Sequence, residues 1–384
     1  MASIPVSGQL ARILTSPALL AFFPVAAHFN LFNIIGESDK ALSARDILTA
    51  DQSNTNNSAP ANVPGAAAVI HNSANVQEGS ALPLIEDTLL AMAGLGLLEV
   101  VEEDLYAAND LTRHLVLNPS AVHGGIHFTT ETILAASFFM RKLKAENFAY
   151  PFSDNDTPMQ YAHKLMGNEE YANKNTYAIM AAEGRMDSFN SFMVGKFGGM
   201  KPIGERLESL GYDFAGVLAE GERLTSTKIV DIGGGRGQLL LELQDTFPHL
   251  QKEDLVVQEY NDDLGEVPGV TMTCWNYKDE SSPQPIKGAM IYNLSHVLHN
   301  LPDLDAVRIL QRIAEAMTRY SRLLVHEDRR RKDIAAVHAA MILLFGGRER
   351  TPQEWHQMAK LAGLKVTFEA YPEGGTGVVE FMLL

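Results

Sequence analysis

The second half of the chain alternates short apolar runs with amphipathic stretches. KIVDIG, LVVQEY, VTMTC, AMIYNL and RLLVHE are separated by helical patterns that include QLLLELQDTF and DAVRILQRIAEAM, and TPQEWHQMAKLAG precedes closing strands. β-rich runs regularly interrupted by helices predict an α/β fold with a doubly wound, mainly parallel sheet. The first half reads differently. Residues 1–50 predict helices, with Ser43 placed to cap the short segment ARDILTA. Leu84, Leu89, Leu90, Met92 and Leu95 recur at helical spacing, and Gly94 and Gly96 mark the end of that helix. LLEVVEEDLYAA then predicts a hairpin turned at Glu102–Asp104, and helix, helix, hairpin is winged-helix-like. Between these parts, Asp51 to about Ser80 is rich in Asn, Ser, Ala, Gly and Pro and reads as an inserted surface loop. Residues 120–200 predict mostly helix, with a polar break at PFSDNDTP (151–158). The expected division is a mostly helical winged-helix-like region over 1–120 (loop 51–80), a helical pocket and linker region over 121–203, and a Rossmann-like domain over 204–384.

Composition narrows the partners. Hydrophobic residues make up 46% of the 384, enough for a sizeable core, and 31 basic against 47 acidic side chains leave a net charge of -16. Such a surface repels nucleic acid on average, and the second winged-helix-like helix carries Glu86 and Asp87 with no Lys or Arg. The run Arg329–Lys332 is flanked by Asp328 and Asp333 and reads as a solvated turn. The single cysteine, Cys274, excludes an internal disulfide framework and a cysteine-rich metal site, in keeping with a cytoplasmic location. No metal site is expected. The start of the chain lacks a secretory pattern. Residues 17–36 (PALLAFFPVAAHFNLFNIIG) are the one membrane candidate, but Pro24, His28, Asn30 and Asn33 interrupt them, which favours burial against protein.

Chemistry concentrates at VDIGGGRGQ. An apolar strand runs into Gly233-Gly234-Gly235-Arg236-Gly237 and a helix follows, so bare backbone can approach a ligand at a helix N-terminus. The turn lacks the GxGxxG spacing of dinucleotide sites. Asp231 stands just before it, and Glu259 closes the next strand, where a carboxylate can bind ribose hydroxyls. These features point to S-adenosylmethionine.

VDIGGGRG, then VVQE, then SPQPIKGAMIYNLSHVLHNLPDLDAVRILQRIAEAM, then SRLLVHE, then GGRERTPQEWHQMAKLAG resembles the fungal and plant small-molecule O-methyltransferases, over roughly 204–384. The resemblance implies a homodimer built through N-terminal helices and a small-molecule pocket. It matches Asp231, Gly233, Gly235 and Glu259 to cofactor residues, with Asn276 and Tyr277 where the family has Asp and an aromatic or Met against the adenine. His299 matches the family's catalytic base, with Glu327 and Glu349 as the two acids flanking it. Methyl transfer to oxygen needs the hydroxyl deprotonated as it attacks, which suits a histidine oriented by a carboxylate.

Where the family reads (K/R)xVLHDW, this chain has Ser295, Asn300 and Leu301 around His299. Some fungal proteins resembling the family are pericyclases, which bind S-adenosylmethionine without transferring its methyl group and guide dehydration or Diels–Alder-type cyclisation. For these the resemblance offers His127, in GGIHFTTET, as a further catalytic residue. The expected function is O-methylation of a phenol, enol or hydroxypyridone of polyketide origin. A pericyclase is the alternative, and a non-enzymatic dimeric regulator is disfavoured by the acidic surface.

Overall fold

The computed structural model describes residues 5–57, 78–198, 200–221, 227–260, 265–279 and 281–384. The chain divides into two compact units, Met1–Lys142 with Pro158–Met200, and Leu143–Thr157 with Lys201–Leu384.

The first unit is helical. Breaks after Leu20 and His28 cut the apolar N-terminal stretch into helices Val6–Leu20 (which runs through Pro17), Phe23–His28 and Leu31–Gly36. Among the described residues no helix is long and apolar enough to cross a membrane. The core gathers Phe23, Leu31, Ile35, Ile47, Ile85 and Leu89. The hairpin forms as expected from β1 (Glu99–Glu102) and β2 (Leu105–Ala107), with Asp104 in the left-handed region at φ 59°. Leu42 bridges to Tyr106 beside it.

The expected loop over 51–80 is narrower than its composition suggests. Helix Ala44–Asn57 runs through residues 51–57, and helix Glu78–Gly94 already includes 78–80; residues 58–77 lie outside the described ones. The physical reason is local. Ser43 Oγ and the Ser43 amide both donate to Asp46 Oδ2 (2.7 and 2.9 Å), closing a helix start, and Ile47 anchors the helix in the core. A polar tail can ride on a helix nucleated that well.

The second unit holds a seven-stranded sheet. Its strands are β3 (Ile229–Ile232), β4 (Leu255–Glu259), β5 (Thr271–Cys274), β6 (Ile291–Ser295), β7 (Arg322–Asp328), β8 (Leu364–Ala370) and β9 (Thr376–Leu383). They lie in the order β5-β4-β3-β6-β7-β9-β8. The pairings from β5 to β7 are parallel, and β9 is antiparallel to both neighbours. β3 is buried along its whole length and β4 up to Glu259, and both are apolar apart from Asp231, Gln258 and Glu259, as parallel strands covered by helices are. Successive strands step outward from β3 to β5, and the chain then returns to β6 on the other side of β3. That reversal opens a crevice beyond the carboxyl ends of β3 and β6, where ligands of such sheets bind.

Helix Ala335–Phe345 follows β7 in the same unit. The basic run is not a solvated turn throughout: Arg330 pairs with Glu354 (3.1 Å), and Arg331 donates to Asp333 (3.0 Å) and to the Pro372 carbonyl (2.7 Å).

Candidate active site

Every expected cofactor residue lies at the carboxyl edge of β3, β4 or β5. After β3 the chain turns through Gly233, Gly235 and Gly237 at φ 70°, 61° and 77°, a run that L side chains rarely adopt. Gly237 caps helix Gln238–Thr246. A Cβ on Gly234 would sit 2.4 Å from Asp231 Oδ2, so the turn folds directly over that carboxylate. Asp231 is buried, and parallel register sets it opposite Asn293, whose Nδ2 donates to Asp231 Oδ1 at 2.7 Å. Burial pushes the Asp231 carboxyl up to about 7; the Asn293 hydrogen bond opposes that rise and the Glu259 charge adds to it.

Glu259, ending β4, accepts from the Gly235 amide at 2.5 Å and the Tyr260 amide at 3.3 Å; burial raises it, and those two bonds oppose the rise. A carboxylate offers about four acceptor sites, so Glu259 can hold the turn and still accept from a ribose diol. Two acids under a turn of bare backbone fit a cationic nucleoside such as S-adenosylmethionine. The side-chain oxygen of Asn276 is engaged within the chain: Oδ1 accepts from the Lys278 (3.0 Å) and Asp279 (3.3 Å) amides, closing an Asx turn. Tyr277 follows it half-buried, its carbonyl accepting from Arg312 at 2.7 Å.

The three expected acid–base residues come together. His299 sits on the single turn Leu298–Asn300 beyond β6, and all three side chains are buried. His299 Nδ1 lies 2.8 Å from Glu349 Oε1 and 3.7 Å from Glu327 Oε2. Glu327, near the end of β7, also accepts from the Leu298 and His299 amides through Oε1 (2.9 and 3.1 Å), so it fixes the backbone that carries the imidazole. Burial pushes Glu327 up to about 7; the His299 charge opposes this and Glu349 adds to it.

Three residues that shape this site were not singled out in sequence. Arg350 is buried and donates to the carbonyls of Leu298 (2.7 Å) and Leu301 (2.8 Å), and to Asp303 (3.0 Å), clamping both ends of the His299 turn. Gly347 passes so close that a Cβ would lie 2.1 Å from the His299 carbonyl oxygen. His338, on helix Ala335–Phe345, accepts from the Glu349 amide at 3.2 Å. A buried arginine must be paired, so the Arg-Glu-Arg run at 348–350 was the available signal.

His296, His299 and Glu327 bring ligand-type atoms within 4.8 Å of one another. Those side chains are engaged within the protein: His296 Nε2 lies 3.1 Å from Thr376 Oγ1, and His299 and Glu327 hold the contacts above. The departures from (K/R)xVLHDW have structural partners. Asn300 Nδ2 donates to the His296 carbonyl at 3.2 Å, and Leu301 is buried in the core beside Leu298. His127 belongs to the other unit, buried at the end of helix Pro119–His127.

A family profile described as an O-methyltransferase domain matches residues 215–365. O-methyltransferase bfoE of Aspergillus brasiliensis is 46% identical over 382 residues, covering 99% of this chain and 97% of that protein. Among solved structures, OxaC in complex with SAH and oxaline superposes with a TM-score of 0.73 at 18% identity, covering 100% of this chain and 88% of the other. A chain titled "A Pericyclic Reaction enzyme" superposes at 0.72 and 18% identity, covering 99% and 90%. At those identities the two structures speak for the fold alone.

Proposed function

The chain belongs to the O-methyltransferase family, with S-adenosylmethionine as cofactor, and on that premise we propose that it methylates a hydroxyl group of a phenol, enol or hydroxypyridone of polyketide origin. The observation that carries this reading is His299 Nδ1 at 2.8 Å from Glu349 within a buried site. With Nδ1–H directed at a carboxylate, the imidazole presents Nε2 to take the proton of an acidic hydroxyl. Glu349 then stabilises the imidazolium, and Glu327 holds the turn in place. The cofactor, when bound, supplies an electrophilic methyl group on a sulfonium. Asp231 and Glu259, with the glycine turn, hold it; Asn276 and Tyr277 face its base.

The test is to incubate protein, S-adenosylmethionine and a panel of phenolic polyketides. A product heavier by one methyl, with S-adenosylhomocysteine formed in equal amount, is expected; His299→Ala abolishes it. An isomer of unchanged mass with the cofactor intact refutes methyl transfer and establishes the pericyclase reading, in which His299 acts as a protonated hydrogen-bond donor. In sequence that alternative draws on Ser295, Asn276, Asn300, Leu301 and His127; of these, Asn300 and Leu301 have backbone and core contacts that account for them without new chemistry.

The protein works as a homodimer through its N-terminal helices. Val6, Leu10, Ile13 and Leu14 are 81%, 55%, 69% and 69% exposed on a helix with no buried residue, an apolar stripe that a second copy would cover. A monomeric mass by light scattering would exclude it. The location assigned is the cytoplasm, where the exposed thiol of Cys274 stays reduced.

A further inference from the structure

The segment Leu143–Thr157 belongs to the second unit, although the residues before and after it in sequence belong to the first. Two close approaches hold it there. A Cβ on Gly346, at φ 70°, would lie 3.0 Å from the carbonyl oxygens of both Phe152 and Ser153, so the segment lies directly against the start of the loop that carries Glu349. Asp154 Oδ2, farther along, accepts from Lys278 Nζ at 2.7 Å, with the two side chains 16% and 31% exposed.

Lys278 follows Tyr277 on the loop after β5. Arg312 braces that loop by donating to the Tyr277 and Asp279 carbonyls, both at 2.7 Å, and the Asx turn at Asn276 fixes its bend. The pair with Asp154 ties the same loop to the segment. Asp154 is close enough to act on the tyrosine: burial raises the Tyr277 hydroxyl above its usual range, and the charges of Glu259 and Asp154 add to the rise. Asp305 lies within reach as well. Burial and the Asp154 charge raise its carboxyl, while Arg308 and Lys278 oppose that, so Lys278 is a cation in the field of two acids. An ion pair this exposed adds little to stability, which leaves its position as the feature to explain. It joins the loop of Asn276 and Tyr277 to a segment that also packs against the loop of Glu349.

We propose that Asp154 and Lys278 are positioning residues for the cofactor: their ion pair latches the segment at Asp154 onto the Asn276–Lys278 loop and so sets where Asn276 and Tyr277 meet the base. The inference rests on the reading above that those two residues face the base, and not on methyl transfer.

Calorimetric titration with S-adenosylhomocysteine reads the latch without turnover. Asp154→Asn and Lys278→Gln should each weaken binding about fivefold, the upper end for a pair this exposed. The double variant should bind no more weakly than either single one, and Lys278→Arg, which keeps the pair, should stay within about twofold of wild type. Lys278→Gln with S-adenosylmethionine separates a latch from a plain field. Removing a cation near a cationic ligand tightens binding by charge alone, whereas a broken latch weakens it. Losses that add in the double variant, affinity unmoved in the single ones, or tighter S-adenosylmethionine binding by Lys278→Gln each overturns the proposal. Thermal unfolding of the cofactor-free variants should stay close to wild type; a fall there with affinity unchanged makes the pair structural only. Tyr277→Ala checks the premise. Unchanged affinity in that variant removes the base from this loop and the latch with it, while a loss there and none in Asp154→Asn sinks the latch alone. A panel of phenols that gains no methyl group, with these affinities as stated, removes the transfer reading and leaves the latch standing.

Discussion

Arg350→Lys isolates what the clamp on the His299 turn contributes. The guanidinium makes three contacts, to the carbonyls of Leu298 and Leu301 and to Asp303, and lies 5.3 Å from the Trp355 ring centre. A lysine ammonium reaches one of these acceptors but cannot span both carbonyls from one planar group. The two carbonyls are not equivalent. Leu298 O also accepts from the Leu301 amide at 3.1 Å, so it keeps a partner when Arg350 is lost. Leaving the Leu301 oxygen buried without its donor costs about 1–3 kcal/mol, and the weakened bond at Leu298 adds roughly 1. The expected loss is therefore about 3 kcal/mol, a large fraction of ordinary domain stability. Urea unfolding gives that number, with an unchanged slope indicating that only stability moved. Because the clamped segment carries His299, kcat should fall at least tenfold while cofactor affinity, set at β3 and β4, holds. A variant within twofold of wild type in kcat and within about 0.5 kcal/mol in stability would refute the clamp.

The same turn is exposed to Gly347→Ala. Its Cβ would meet backbone at 2.1–2.5 Å, which no side-chain rotation relieves, so the His299–Glu349 contact should open and stability fall by about 1–3 kcal/mol or more, read by thermal unfolding and turnover. Glu259→Ala removes charged acceptor contacts of about 1.5–3 kcal/mol and should weaken S-adenosylmethionine binding roughly ten- to a hundredfold by calorimetry. Asp231 gives a pH signature. Its folded-state pKa of about 7 stands above the ordinary 3.8, so the folded chain holds a proton that the unfolded chain releases. Stability from that proton is complete below about 3.8 and is lost as pH rises to about 7, at about 1.4 kcal/mol per unit. Cofactor-free Asp231→Asn should therefore show a pH slope shallower by that amount between pH 4.5 and 7; an unchanged slope would place the titration elsewhere.

The sheet strands and the glycine turn were legible because their signals are local: apolar runs bounded by helices, and glycines at fixed offsets from an acid. Glu327 and Glu349 were identifiable as partners of His299 only through motif order, since 21 residues, a helix among them, lie between the two acids in the chain. What composition obscured was the helix over Ala44–Asn57, where Asn and Ser dominate the second half but Ser43, Asp46 and Ile47 decide the outcome. Arg350 escaped notice because two of its three acceptors are main-chain oxygens, which no side-chain pattern announces, and the third, Asp303, lies 47 positions away in the chain. The Asp231–Asn293 bond likewise depends on the register of β3 against β6, a property of the assembled sheet.

That sheet also fixes an order of events during synthesis. β7, which carries Glu327, has its outer edge paired with β9, the last strand in sequence, and helices Ala335–Phe345 and Pro352–Leu361 with β8 are made in between. A nascent chain that has produced the glycine turn and the His299 turn therefore still shows a bare, apolar strand edge. The sheet under the histidine and its carboxylates is complete only when β9 slots in between β7 and β8. Expression yield should accordingly depend on how quickly that closing strand arrives, and chaperone dependence on how long its place stands open.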